Sequence, residues 1–191
     1  MDGEEVPSVS EITRFISREV YGDVSQFRLD NAAERGRAVH KALEVLDKYG
    51  EVEASEDIVP YIRAYLQFRK DHPSEWSLIE KPICHPDKLY AGTIDRYGTV
   101  DGLPTLVDYK TTSTIDPQHR TMYAAAQNLY RKALGLPVEK ILILQLKADG
   151  SYKLYDLPIE DALADACVLL HHRLKKKKRK KKVKEEPAAN G

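Results

Sequence analysis

Cysteine is scarce in this chain. The two present, Cys84 and Cys167, make neither a CxxC metal pair nor a disulfide framework. That usage fits a reducing, cytoplasmic setting, with both thiols expected as small, buried or half-buried residues. Long apolar runs are missing too. No stretch approaches the roughly 20 apolar residues a membrane span needs, so no membrane partner is expected. The N-terminal MDGEEVPSVSE is acidic and has no apolar run, unlike a signal peptide. No Gly-x-x-x-x-Gly-Lys segment occurs, which excludes a built-in ATPase of that type and implies no nucleotide cofactor. No internal repeat is visible. Large aromatics are few, with one Trp and three Phe, but Tyr numbers 11.

What is present describes a globular chain. Its 191 residues suffice for one domain with a real core. Apolar residues at 42% and charged residues at 31% are ordinary for such a protein. The net charge of zero hides an asymmetry: residues 1–172 hold 20 Lys and Arg against 28 Asp and Glu. The C-terminal RLKKKKRKKKVKEEPAANG is of low complexity. This divides the chain into a single domain over 1–174 and a disordered Lys-rich tail over 175–191. Lys175, Lys176 and Arg179 could hold a polyanion loosely and in a salt-sensitive way. The same run also reads as a solvated, self-repelling terminus, or as a nuclear-localisation patch.

Periodicity orders the elements. SVSEITRFISREV, residues 8–20, reads as a short helix capped by Ser8 or Ser10. A stronger helix is expected over Asn31 to Lys48, where Ala32, Gly36, Val39, Leu43 and Leu46 form an apolar stripe with His40 at its edge. A third fits Ile58 to His72, with Tyr61, Tyr65 and Phe68 as a packing face. WSLIEKPICH, KLYAGTIDRYGTV and LPTLVDYKTT read as three strands in series. A helix follows over 117–134, with Pro117 at its first turn and Gly135 at its end. KILILQLK, an Asp149-Gly150 turn and SYKLYDL make two more strands, and a last helix runs over 159–174. The fold class is α/β: a central mixed sheet flanked by helices, without a regular βαβ repeat.

The stretch LVDYKTT is unusual. It reads as a buried strand, yet Asp108 and Lys110 lie two apart and so point to one face. The preceding turn is Asp101-Gly102, a favoured two-residue hairpin loop that fixes register. It pairs residues whose numbers total 203, which puts Asp95 opposite Asp108 and Lys110 opposite Thr93. Two carboxylates about 4.5–5.5 Å apart destabilise a hairpin unless a cation sits between them or one is protonated. The pair therefore reads either as a site for a hard divalent cation with Lys110 beside it, or as a surface hairpin with an Asp–Lys ion pair.

Four motifs occur in order: ERGRAVH on a helix, GTID ending at Asp95, VDYKT around Asp108, and MYAAAQNLY on a later helix. Together they resemble the PD-(D/E)XK nuclease superfamily, and its RecB-type branch of recombination exonucleases and CRISPR adaptation nucleases in particular. PSVSEI and ERGRAVHKALE look like its single-domain phage members. The resemblance covers residues 6–172 and implies a restriction-endonuclease-like core. It makes His40, Asp95, Asp108 and the Tyr109 carbonyl metal ligands, and Lys110 the catalytic lysine with Asp95 and Asp108. Glu80, in LIEKP, matches a further acidic position, behind the ligands or on a metal-bound water. Gln127 and Tyr130 stand three apart where the family has four, and are retained as substrate-side candidates. Branch members holding an iron–sulfur cluster use four cysteines; two here exclude it.

The implied activity is Mg²⁺- or Mn²⁺-dependent hydrolysis of DNA phosphodiesters. An exonuclease in phage or bacterial recombination or replication is expected, with a protein of those processes as a possible partner. The alternative is a catalytically inactive nucleic-acid-binding module of the same fold.

Overall fold

The computed structural model describes residues 6–87 and 90–185, the side chains of 176–185 excepted. Four helices lead the chain: α1 (Val9–Ile12), α2 (Arg14–Tyr21), α3 (Gln26–Tyr49) and α4 (Val59–Asp71). Ser8 closes a capping box on α1: its hydroxyl accepts the Glu11 N–H at 3.1 Å, and its own N–H donates to Glu11 Oε2 at 2.9 Å. The single helix expected over 8–20 is divided at Thr13, whose hydroxyl donates back to the Val9 carbonyl at 3.0 Å. Such back-bonding competes with the helix ladder and bends it. Helix α3 starts at Gln26, five residues earlier than expected. Its first turns are exposed and carry no apolar stripe for periodicity to detect.

The sheet holds β1 (Ser74–Cys84), β2 (Ala91–Val100), β3 (Leu103–Lys110), β4 (Lys140–Leu146) and β5 (Tyr152–Leu157), in that spatial order. All neighbours are antiparallel except β3 and β4, which run parallel. That pair needs a long crossover, and α5 (Pro117–Leu134) supplies it. This is the mixed α/β sheet read from the sequence. Strands β3 and β4 are buried on both faces, as their near-continuous apolar runs require.

Helices α3 and α4 cover one face, packing Val39, Leu43, Tyr65 and Phe68 onto Val107, Tyr109, Leu142 and Leu144. Helices α1, α5 and α6 (Asp161–Glu185) cover the other, with Leu129, Ala133 and Ala164 among the buried residues. Helix α6 passes the expected end near Leu174 and extends to Glu185; residues 186–191 of the expected tail lie outside the described residues. Lys, Leu and Arg propagate a helix well once it is nucleated. Cys167 is buried in the α1–α5–α6 core, whereas Cys84 is exposed at the end of β1. Among the described residues no helix is long and apolar enough to cross a membrane.

Candidate active site

The β2–β3 turn sets the site's register. Asp101 and Gly102 adopt φ of 52° and 80°, the two positive angles of a type I′ hairpin. The pairs run from Val100↔Leu103 to Arg96↔Val107 in the register read from the sequence. The ladder then stops one step short of Asp95 and Asp108. There the Asp95 carboxylate takes over from a strand carbonyl: its Oδ2 accepts the Tyr109 N–H at 2.8 Å. Regular opposition of the two aspartates is thus replaced by a side-chain clasp. On the other side of β2, Ile79 pairs with Arg96 and Lys81 with Ile94, leaving Glu80 unpaired between them. Glu80 has φ of 46°, left-handed for a residue with a side chain. Acids from β1, β2 and β3 therefore lie at one level of the sheet.

Helix α3 brings His40 over this row. Its Nδ1 lies 3.5 Å from Glu80 Oε1 and 3.5 Å from Asp95 Oδ1. Its Nε2 lies 3.3 Å from the Tyr109 carbonyl oxygen. One ligand atom each from His40, Glu80 and Asp95 falls within 4.8 Å of the other two. Burial alone would depress the His40 imidazolium, but Asp95 and the bond to Glu80 override it and raise its pKa to about 9. The imidazole neutralises a surplus of negative charge.

Asp108, expected as a further ligand, adjoins His40 and Lys110. It stands beside the trio and is engaged already: one oxygen contacts Lys110 Nζ, and the other accepts from Gln127 Nε2 at 2.9 Å. Burial pushes its carboxyl pKa up, and Lys110 offsets part of that rise. Burial opposes the Lys110 charge, yet Asp108 and Asp95 hold its pKa above the usual lysine value. Lys110 also donates to the Tyr109 carbonyl at 3.3 Å and lies 5.0 Å from the Tyr123 ring centroid. Glu80, expected behind the ligands or on a metal-bound water, stands with His40 and Asp95 in the tight trio.

The substrate-side candidates fare unevenly. Gln127 is buried and donates to Asp108. Tyr130 packs in the core beside Ile83 and Leu134. It presses on Gly92 so closely that an added Cβ would meet its ring at 2.5 Å. Lys175 is exposed on α6 and lines a separate cavity with Phe15 and His171. The side chains of Lys176 and Arg179 lie outside the described residues.

The site opens into a cleft of about 630 Å³ between α3 and the ends of the strands. His40, Glu80, Tyr109 and Lys110 form its floor, and Arg37 and Lys41 of α3 line its wall. A cavity of about 880 Å³ adjoins it, sharing Tyr21, Leu29 and Thr112 and adding Arg28, Arg35 and Lys147.

Sequence reading missed what lies beneath the site. Arg96 is fully buried, with its Nε donating to Asp47 Oδ2 at 2.8 Å. Asp47 also accepts from Tyr65 Oη at 2.7 Å and from Arg69 Nη1 at 2.9 Å. Trp76 Nε1 donates to Tyr65 Oη at 2.7 Å. The available signal was an arginine directly after Asp95 in a strand whose neighbours are apolar.

No family model matches the chain, and no curated protein matches its sequence. Among solved structures it is similar to an alkaline exonuclease, LHK-Exo, from Laribacter hongkongensis. That match has 12% identity and a TM-score of 0.43 over 93% of this chain and 92% of that one. It is also similar to the protein SSO0001, with 15% identity and a TM-score of 0.41 over 89% of this chain and 79% of that one.

Proposed function

We propose that the chain is a divalent-metal-dependent nuclease that hydrolyses DNA phosphodiesters, as its motif resemblance to PD-(D/E)XK enzymes implies. The observation that carries this reading is the convergence of His40, Glu80 and Asp95 within 4.8 Å of one another, with His40 and Glu80 lining a cleft that Lys110 also lines. The donor set fits Mg²⁺ or Mn²⁺: carboxylate oxygens, one imidazole nitrogen and the Tyr109 carbonyl within reach of both His40 and Lys110. The proton that His40 retains up to about pH 9 marks the same surplus of negative charge a cation would neutralise.

Glu80, Asp95 and His40 would hold the ion, with the Tyr109 carbonyl adjacent and Asp108 at its side. When bound, a divalent cation acts as a Lewis acid on a phosphate oxygen and lowers the pKa of a bound water. The remaining work belongs to the chain. Lys110 places a compact ammonium where a hydroxide must be oriented and where charge builds on phosphorus. Gln127 fixes one Asp108 oxygen, so the other stays directed at Lys110. Arg37 gives the cleft wall a positive charge that suits a phosphate backbone, while Lys41 beside it is paired with Glu44 at 3.0 Å. An exonuclease acting in phage or bacterial recombination or replication is the role we assign.

The test is incubation of the purified chain with end-labelled linear and with circular DNA, with and without Mn²⁺. Mn²⁺-dependent loss of label from linear DNA supports an exonuclease, and cutting of circles an endonuclease. Mn²⁺-independent cleavage or no cleavage overturns the proposal. Mn²⁺ binding without cleavage leaves an inactive module.

A further inference from the structure

A fully buried cation needs a reason, because desolvation opposes it. Arg96 is 0% exposed and sits on β2 next to Asp95. Beyond its bond to Asp47, its Nη1 donates to two acceptors at once: Glu80 Oε1 at 3.1 Å and the main-chain oxygen of Asp95 at 2.7 Å. Its guanidinium lies 5.0 Å from the Tyr109 ring centroid. Asp47 is equally enclosed, its side chain 3% exposed. The fork therefore links α3, through Asp47, to two of the three residues that surround His40.

Glu80 has particular need of such a link. Its backbone is in the left-handed region and outside the strand ladder, so neither local conformation nor sheet pairing fixes its side chain. The contact that does reach its carboxylate from below is Arg96. The Arg96–Asp47 pair engages only Nε, which leaves Nη1 free to reach Glu80, while Nη2 has no partner among the described residues. The geometry spends one guanidinium nitrogen on Glu80 and Asp95 together.

Resting on the metal-site reading above, we propose that Arg96 is a positioning residue of that site: its planar fork, anchored by Asp47, sets the Glu80 carboxylate and its spacing from Asp95 for cation binding. Lysine cannot substitute, because a single ammonium lacks the fixed geometry that spans Asp47, Glu80 and the Asp95 carbonyl.

The experiment is a double-mutant cycle read as Mn²⁺ affinity by calorimetry, on the parent chain, Arg96→Lys, Glu80→Gln and the double variant. Circular dichroism melts accompany each. Loss of an outer residue that orients a metal ligand typically weakens metal binding by about 10- to 100-fold. Arg96→Lys is expected to do so in the parent, and to change affinity less than about twofold once Glu80 is Gln, because the interaction it serves is gone. An unchanged affinity in Arg96→Lys overturns the proposal. So does an equal loss in both backgrounds, which marks a general structural role. If Arg96→Lys does not fold, Asp47→Asn loosens the anchor from its far end and is judged by the same pattern in the same two backgrounds. A folded parent that binds no Mn²⁺ overturns the metal-site reading and this proposal together.

Discussion

At the residue scale the site has two cations of different character. Lys110 is enclosed by acids and stays charged, so its replacement tests chemistry rather than charge state. Lys110→Ala is expected to lower the cleavage rate at saturating Mn²⁺ by about 100- to 1,000-fold, the usual loss of one preorganised stabilising group. Mn²⁺ binding should persist, with the rate measured on labelled DNA and binding by calorimetry. His40 is the titrating group. Its folded pKa of about 9 lies above the ordinary histidine value. The stabilisation it brings to the metal-free chain is thus fully present below about pH 6.5 and is lost as pH rises through about 9, by up to about 3 kcal/mol. A divalent ion must displace that proton, so Mn²⁺ affinity should rise about tenfold per pH unit towards 9. His40→Gln should flatten both dependences, as followed by denaturant melts and calorimetry across pH.

At the element scale the hairpin carries the most information. Gly102 has a φ of 80°, and nothing lies within 4 Å of an added Cβ. Gly102→Ala is therefore expected to cost about 1–2 kcal/mol in backbone strain alone, with Mn²⁺ affinity unchanged while the turn closes; chemical denaturation and calorimetry check the two halves. Gly98 behaves differently, because a Cβ there would meet the Glu75 carbonyl at 1.9 Å and force β1 off β2. The β2–β3 register was legible because Asp101-Gly102 declares its own turn type. Helix α5 was legible because Pro117 opens it and Gly135 closes it at φ 66°; the structure adds an Asp116 cap, whose side chain accepts the His119 N–H at 3.0 Å. The clasp of Asp95 on the Tyr109 N–H was not, since regular pairing gives no warning of where a ladder stops. Neither was the bond between Asp47 and Arg96, 49 residues apart. Asp47 looks like one more charge on an amphipathic helix, beside Glu44 and Lys48, until the fold turns it inward.

At the scale of the whole molecule, charge is divided between an acidic body and one strongly basic helix end. The body's surplus of eight acids would repel a polyanion, so the DNA binding proposed above would draw its electrostatic part from Arg37 of the cleft wall and from the run from Arg173 to Lys184. Deleting residues 175–191 is expected to weaken binding at low salt, to matter less at high salt, and to reduce the slope of log affinity against log salt. Filter binding over a salt series checks it. The parallel pairing of β3 with β4 has a last consequence. Because it must wait for α5, the helix that also delivers Gln127 to Asp108, the residues ahead of α5 cannot assemble the proposed site by themselves. Severed ahead of α5, the polypeptide should give two fragments that each fail to bind Mn²⁺ and that recover the proposed site only on mixing, as calorimetry would show.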